Sequence, residues 1–219
     1  MSEEVADSIA EAIRLINSGV YKKAIDFLKE LVGKHPDSLE GWYNLGIALA
    51  RAGKLDEAEE AYDEALAIDN QVFEIWFNKG NVLYELGDFK KAKECYEKAL
   101  ELDTEDAEAW NNLGNTYSRL TEGQKAIEAY TKAVALRPNY AEALYNKANA
   151  HFIERENEHA IAYAEMALEL DPSLSSHVNQ WLAVAKDRLK AEQDHEKYEQ
   201  EKKDSDLLNN PDNSINEND

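Results

Sequence analysis

The sequence predicts an all-α protein built from repeated helix pairs, and three observations support this fold class. The 219 residues include only 9 Gly and 4 Pro, whereas Ala, Glu, Leu and Lys, which lose little freedom in a helix, are abundant. A tryptophan recurs at a constant interval, at Trp42, Trp76 and Trp110. Within each period the apolar residues follow helical spacing. An all-β sandwich needs many more turn residues and is excluded.

Five windows of equal length align without a gap. One column of the alignment holds only alanine and a second holds only Gly or Ala, and a chance match of this kind over five periods is very improbable. The windows are 5–38, 39–72, 73–106, 107–140 and 141–174. The two columns are Ala24, Ala58, Ala92, Ala126 and Ala160, and Ala12, Gly46, Gly80, Gly114 and Ala148.

Each window predicts two helices. In the first, spacing of i, i+3, i+4 and i+7 places Trp42, Leu45, Gly46 and Leu49 on one face. A second helix follows in the same way, with an apolar face that includes Tyr62. We expect the small columns to let the two helix backbones approach closely, with Trp and Tyr filling the gaps beside them. Between the helices stand Gly19, Gly53 and Gly87, which suit the left-handed residue that ends a helix.

A capping helix is predicted after the fifth window, at about residues 175–203. Its apolar stripe consists of Val178, Trp181, Leu182, Ala185 and Leu189. A polar opposite face is what the end of a repeat stack requires. From about Ser205 onward too little apolar surface remains to offset chain entropy. The sequence therefore predicts one repeat domain over 1–203 and a disordered acidic tail over 204–219.

The repeat resembles the tetratricopeptide repeat, whose 34-residue signature contains W-x2-L-G-x2-Y followed by A-x3-F, A and P. The fourth window carries the match with Tyr in place of Phe, at Trp110, Leu113, Gly114, Tyr117, Ala126, Tyr130, Ala133 and Pro138. This resemblance implies a right-handed α-solenoid, or superhelix, of antiparallel helix pairs. It also implies a concave face lined by the first helix of each pair, where members of the family bind partner proteins.

The net charge of −21, from 24 Lys+Arg against 45 Asp+Glu, excludes several functions. Nucleic-acid binding and attachment to anionic membranes both depend on basic surfaces. No apolar run is long enough to span a membrane. The first residues lack the basic start and apolar run of a signal peptide, and a lone cysteine, Cys95, fits a reducing compartment. We therefore expect a cytoplasmic protein, with Cys95 as a partly buried small residue.

Signs of catalysis are few. The sequence contains no phosphate-binding glycine loop, nucleophile elbow or C-x-x-C motif. His151 and His159 fall on different helices of the fifth window. We therefore expect one histidine near the groove and one on the surface, rather than a metal site. The sequence therefore predicts that the protein is not an enzyme and has no cofactor, metal or catalytic residue.

Candidate binding residues lie on the first helices. Two asparagine columns, three residues apart, fall on neighbouring lines of one helix face. Asparagine carries a donor and an acceptor and can pair with both groups of a peptide backbone, and the columns resemble the asparagine ladder of peptide-binding family members. Aromatic side chains between them could take apolar ligand groups. The predicted groove residues are Asn44, Asn78, Asn112, Asn146, Asn81, Asn115, Asn149, Tyr43, Phe77, Tyr84, Tyr145 and Phe152.

An acidic row, formed by Glu40, Glu74, Glu108 and Glu142, starts these helices. These acidic residues stabilise the helix dipole, which is enough to explain their position. They would also give the groove a preference for basic ligand residues. The sequence predicts a non-catalytic scaffold or adaptor that binds an extended neutral or basic segment of a protein in its concave groove. Two alternatives stay open: a self-assembling scaffold, forming a homo-oligomer through repeat faces or ends, and an accessory subunit of an enzyme complex.

Overall fold

A computed structural model describes the backbone of residues 3–209 and the side chains of residues 4–206. In this part of the chain every regular element is a helix, which confirms the all-α class. A short 3-10 helix, Pro172–Leu174, precedes the last α-helix. The α-helices are α1 Glu3–Asn17, α2 Tyr21–Lys34, α3 Leu39–Arg51, α4 Leu55–Ile68, α5 Phe73–Leu86, α6 Phe89–Leu102, α7 Ala107–Arg119, α8 Gly123–Leu136, α9 Ala141–Ile153, α10 Asn157–Leu170 and α11 Ser175–Asn209.

The first ten helices form five pairs, and each pair falls in one predicted window apart from the start of α1. The chain divides into two compact units, residues 1–139 and 140–219. In unit 1, which holds α1–α8, each helix packs against the next and the first helices of successive pairs also touch. Unit 1 is therefore a stack of helix pairs, as a solenoid requires. Unit 2 holds α9, α10 and α11, each in contact with the other two.

Left-handed residues end the first helix of every pair. Gly19 and Gly53 have φ of 73° and Gly87 has φ of 82°, which confirms the prediction for these turns. At the same position in the next two repeats stand Thr121, with φ of 61°, and Arg155, with φ of 63°. The repeat period therefore fixes the backbone of this turn even where the residue is not glycine.

The glycine column of the first helices faces tyrosine rings. A Cβ built on Gly46 would lie 2.5 Å from the Tyr62 ring, and one built on Gly80 would lie 2.8 Å from the Tyr96 ring. The expected close approach is thus between a helix backbone and an aromatic ring, rather than between two backbones. In the first and fifth repeats alanine replaces the glycine and a smaller residue replaces the tyrosine. These pairs are Ala12 with Leu28 and Ala148 with Ala164, and all four residues are fully buried.

Each of the three periodic tryptophans fastens the loop in front of its helix. The indole Nε1 of Trp42 donates to the carbonyl oxygen of Pro36, and Trp76 and Trp110 donate to the carbonyls of Asn70 and Thr104. All three bonds are 2.9 Å long and span six residues. The three tryptophans therefore tie the loops before α3, α5 and α7 to the helices that follow.

Cys95 is 4% exposed in α6, so this small residue belongs to the core and is more fully buried than the sequence predicts. Burial raises the pKa of the Cys95 thiol to about 12, although the nearby charge of Lys79 opposes this shift. A thiol of this pKa stays protonated at neutral pH and is a poor nucleophile.

Helix α11 covers unit 2 with the predicted apolar stripe, in which Val178, Trp181, Leu182 and Ala185 are buried. It continues to Asn209 and so includes residues 204–209 of the segment that the sequence predicts to be disordered. The remainder of that segment, residues 210–219, lies outside the described residues. No helix in the described part of the chain is both long enough and apolar enough to cross a membrane.

Candidate functional site

A pocket of about 250 Å³ opens on the first helices of unit 1, between α5, α6 and α7. Its lining combines amides, carboxylates and tyrosines, and it contains no cation among the side chains described for it. We call it the amide pocket. It is lined by Asn81, Tyr84 and Glu85 from α5, Tyr96 from α6, and Glu108, Asn112 and Asn115 from α7.

Hydrogen bonds fix the amides of this pocket. The carbonyl oxygen of Asn81 accepts from the Tyr96 hydroxyl at 2.7 Å and from Nδ2 of Asn112 at 3.1 Å. The carbonyl oxygen of Asn115 accepts from the Tyr130 hydroxyl at 2.8 Å. These bonds use the oxygens of Asn81 and Asn115, so their N–H groups remain donors, and Asn112 keeps its carbonyl oxygen as an acceptor.

Two further predicted asparagines bond inside unit 1. Asn44 is 8% exposed, and its Nδ2 donates to the carbonyl oxygen of Glu40 at 2.7 Å within the same helix. Asn78 donates to the Tyr43 hydroxyl at 3.1 Å, across to the preceding repeat. The structure therefore does not place Asn44 or Asn78 in the lining of the amide pocket, and part of the asparagine ladder ties repeats together.

The aromatic candidates of unit 1 differ in position. Tyr84 lines the amide pocket, where its ring meets Phe89 edge-on at 5.2 Å between centroids. Phe77 lies 5.6 Å from the Phe73 ring and 6.1 Å from the Tyr96 ring, and it is not part of the pocket lining. Tyr43 lies 6.3 Å from the Tyr62 ring and receives the bond from Asn78.

In unit 2 the capping helix covers two residues that the sequence assigns to the groove. Phe152 stacks on Trp181 of α11 at 5.0 Å between centroids and lies under the guanidinium of Arg188, also at 5.0 Å. Tyr145 meets His177 of α11 edge-on at 6.2 Å. Both residues stay half-buried, and their part in ligand binding stays a prediction. Asn146 and Asn149 are half-buried on α9.

The acidic row is exposed and stands in the first turns of the helices as predicted. Its members are Glu40, Glu74, Glu108 and Glu142. Of these, Glu108 lines the amide pocket together with Glu85. Burial, and more weakly neighbouring groups that include these two carboxylates, raise the pKa of Tyr96, so its hydroxyl stays a neutral donor. The pocket is thus electrostatically negative.

Sequence reasoning missed Glu85 and Tyr96 as pocket residues. Tyr96 belongs to a periodic tyrosine column that is typical of a core, and only the structure shows its hydroxyl reaching the asparagines. His151 and His159, for which the sequence favours other roles over a metal site, come together with Glu156, which the sequence did not single out: one potential ligand atom from each of the three lies within 4.8 Å of the others. These are the residues of the described chain that could hold a metal ion.

Three repeat profiles match the chain. One described as "Tetratricopeptide repeat" matches residues 9–72, and another with the same description matches residues 107–140 and 141–174. A third, described as "TPR repeat", matches residues 80–120. Among curated proteins, the TPR repeat-containing protein MJ1428 of Methanocaldococcus jannaschii is 40% identical over 63 residues, which are 28% of this chain and 11% of that protein. The chain therefore spans about a tenth of the length of this relative.

Solved structures share the fold. MamA from Desulfovibrio magneticus RS-1 (fragment 41-end) is 26% identical with a TM-score of 0.74, and the match covers 79% of this chain and 98% of that one. Another MamA crystal structure is 24% identical with a TM-score of 0.71, covering 75% and 96%. YrrB, a TPR protein with an unusual peptide-binding site, is 20% identical with a TM-score of 0.71, covering 79% and 90%.

Proposed function

Because this chain belongs to the tetratricopeptide repeat family, we propose that it is a protein-interaction scaffold whose amide pocket binds an extended segment carrying a basic side chain. The observation that carries the proposal is the composition of the pocket lining, which combines three amides with two carboxylates. YrrB, which shares the fold, is a TPR protein with a peptide-binding site. That likeness supports the kind of ligand by analogy of fold alone.

The amides complement a peptide backbone. An extended segment presents alternating N–H and C=O groups, which match the N–H groups of Asn81 and Asn115 and the carbonyl oxygen of Asn112. Each neutral hydrogen bond contributes about 0.5–1.5 kcal/mol after water is exchanged. Three or four such bonds, with the cost of ordering the ligand subtracted, suit an affinity of about micromolar.

The carboxylates select the charge of the ligand. Glu85 and Glu108 are exposed at the pocket, where a lysine or arginine side chain gains attraction and an acidic one is repelled. Ligand pockets for small molecules are mostly larger, at about 300–1,000 Å³. The amide pocket is 250 Å³ in volume and therefore suits one side chain of a longer segment better than a whole small molecule.

A peptide-binding measurement tests the proposal. We would titrate the protein into two fluorescent decapeptides of glycine and alanine, one with arginine at every third position and one with glutamate there. We expect the arginine peptide alone to bind. The double variant Glu85→Gln/Glu108→Gln should weaken this binding about tenfold, which corresponds to about 1.4 kcal/mol.

A matched control separates the pocket from the overall acidity of the protein. Glu158→Gln/Glu169→Gln makes the same change in net charge at two exposed positions on α10, outside the pocket lining. We expect this variant to bind the arginine peptide with unchanged affinity. Equal weakening by both double variants, or equal binding of the glutamate peptide, would refute the proposed pocket.

Self-assembly and location remain separate proposals. The sequence suggests contact through the apolar residues Ile9 and Ile13, of which Ile9 is buried in unit 1 and Ile13 is exposed. Light scattering over a concentration series tests this, since a constant mass would exclude a homo-oligomer.

We place the protein in the cytoplasm because its single cysteine suits a reducing compartment, and imaging of a tagged protein tests that assignment.

A further inference from the structure

Three side chains converge at the turn between α9 and α10 in unit 2. His151 lies near the end of α9, Glu156 precedes α10 as its N-cap residue, and His159 lies in the first turn of α10. One potential ligand atom from each residue falls within 4.8 Å of the other two. The two imidazole rings are stacked, with their centroids 5.1 Å apart.

His151 is the unusual member of this cluster. The residue is 6% exposed, and its Nδ1 lies 2.6 Å from a carboxylate oxygen of Glu156. Its Nε2 is buried without a hydrogen-bond partner among the described residues. An unpartnered buried nitrogen is destabilising in a structural residue. A neutral imidazole nitrogen without a partner can, by contrast, serve as a metal ligand.

The preceding repeat has a different set of residues at this place. Tyr117, Glu122 and Lys125 stand one full repeat before His151, Glu156 and His159. Nζ of Lys125 lies 2.5 Å from the Glu122 carboxylate and 5.5 Å from the centre of the Tyr117 ring. Repeat four therefore holds a positive charge between a carboxylate and a ring at this turn.

Repeat five keeps the carboxylate and replaces the lysine and the tyrosine by imidazoles. We propose that His151, Glu156 and His159 bind a divalent transition-metal ion of the zinc class, which takes the place of the lysine ammonium. Imidazole nitrogens with a carboxylate oxygen are ligands that such ions prefer. Three protein ligands leave a fourth position for water. Because the ligands come from both sides of the α9–α10 turn, the bound ion would hold this turn together. The proposal does not depend on peptide binding.

Two neighbouring groups set the affinity of the site. Nζ of Lys147 lies 3.9 Å from the centre of the Tyr163 ring, and that ring also stacks on His151 at 5.5 Å. The positive charge of Lys147 opposes the binding of a metal cation nearby, and the Tyr163 ring holds the Lys147 ammonium in place. Glu156 also holds Nδ1 of His151 at 2.6 Å, a contact that its carboxylate cannot keep while it binds a metal ion beside Nε2. Glu156 must therefore shift on binding, and we expect micromolar rather than nanomolar affinity.

Titration of the whole chain with Zn²⁺ alone tests the site. We expect one ion per chain in a calorimetric titration, with a raised melting temperature and no competition from 1 mM Mg²⁺, which prefers oxygen ligands. His159→Gln should weaken Zn²⁺ binding at least tenfold. His159 is exposed, so this variant is expected to fold. His195→Gln is the control, since His195 is an exposed histidine on α11.

A second variant restores the arrangement of repeat four. His159→Lys should pair with Glu156 as Lys125 pairs with Glu122, abolish Zn²⁺ binding, and leave the melting temperature of the metal-free protein equal or higher. Binding of Co²⁺ to the original chain should give the visible absorption of a four-coordinate ion, which His159→Lys removes. Zn²⁺ binding that is unchanged in His159→Gln, or no saturable binding below 1 mM in the original chain, would overturn the proposal.

Discussion

Among single residues, those that end the first helix of each pair are under the strongest backbone constraint. Gly19, Gly53 and Gly87 have positive φ, and a Cβ added to any of them would meet nothing within 4 Å. Packing therefore does not explain glycine here. The left-handed conformation explains the glycines, because this conformation costs a residue with a side chain about 1–2 kcal/mol. Thr121 and Arg155 accept that conformation at the equivalent turns.

Substitution of these glycines should thus act through the backbone alone. We expect Gly87→Ala to lower the free energy of unfolding by about 1 kcal/mol, measured by urea denaturation. Gly33→Ala is the matched control, since Gly33 lies inside α2, has open space around its Cβ position and does not have a left-handed φ. It should stabilise by about 0.5–1 kcal/mol. A loss of stability in both variants would contradict the backbone explanation.

At the scale of helices and pairs, the packing unit is a glycine on the first helix and a tyrosine ring on the second. Gly46, Gly80 and Gly114 each leave room for one ring, because an added Cβ would lie 2.5–2.8 Å from it. The first and fifth repeats show the alternative, a larger first residue with a smaller second one. The two positions therefore compensate each other in volume, as dense packing requires.

A double-mutant cycle on α5 and α6 tests this compensation. Gly80→Ala alone should lower the free energy of unfolding by about 1–3 kcal/mol through overpacking against Tyr96. Tyr96→Leu alone should lower it because the substitution leaves a cavity and removes the bond to Asn81. The double variant, which reproduces the Ala12 and Leu28 pair of the first repeat, should cost at least about 1 kcal/mol less than the sum. Gly33→Ala with Tyr96→Leu serves as the control and should be additive, and additivity in both cycles would contradict the packing unit.

The helix pairs could be predicted from the sequence, whereas the site could be predicted only in part. The repeat periodicity fixes the positions of helices and turns, because every repeat must pack against its neighbours. It does not fix the side-chain partners: Asn44 and Asn112 occupy the same column, yet Asn44 bonds to its own helix and Asn112 bonds to Asn81. Phe152 and the distant Trp181 of α11 meet only in three dimensions, so no repeat pattern could reveal their contact.

At the scale of the whole molecule, α11 divides into a part that packs and a part that does not. Val178, Trp181, Leu182 and Ala185 are buried against the last pair. From Ala191 onward the described side chains are almost all exposed, and Tyr198 is 61% exposed. The helix thus completes the core of unit 2 with its first turns, and its later turns are available to solvent.

Truncation of the chain at two positions separates these roles. Removal of residues 175–219 takes away three large buried side chains, worth at least about 4–5 kcal/mol together, and uncovers Phe152. We therefore expect hydrogen exchange in α9 and α10 to become fast, while amides of α3–α6 keep their protection. Removal of 198–219 keeps the bond between Asn157 and Glu192 and should leave exchange in α9 and α10 unchanged. If both truncations exposed those amides equally, the buried stripe of α11 would not be what holds unit 2 together.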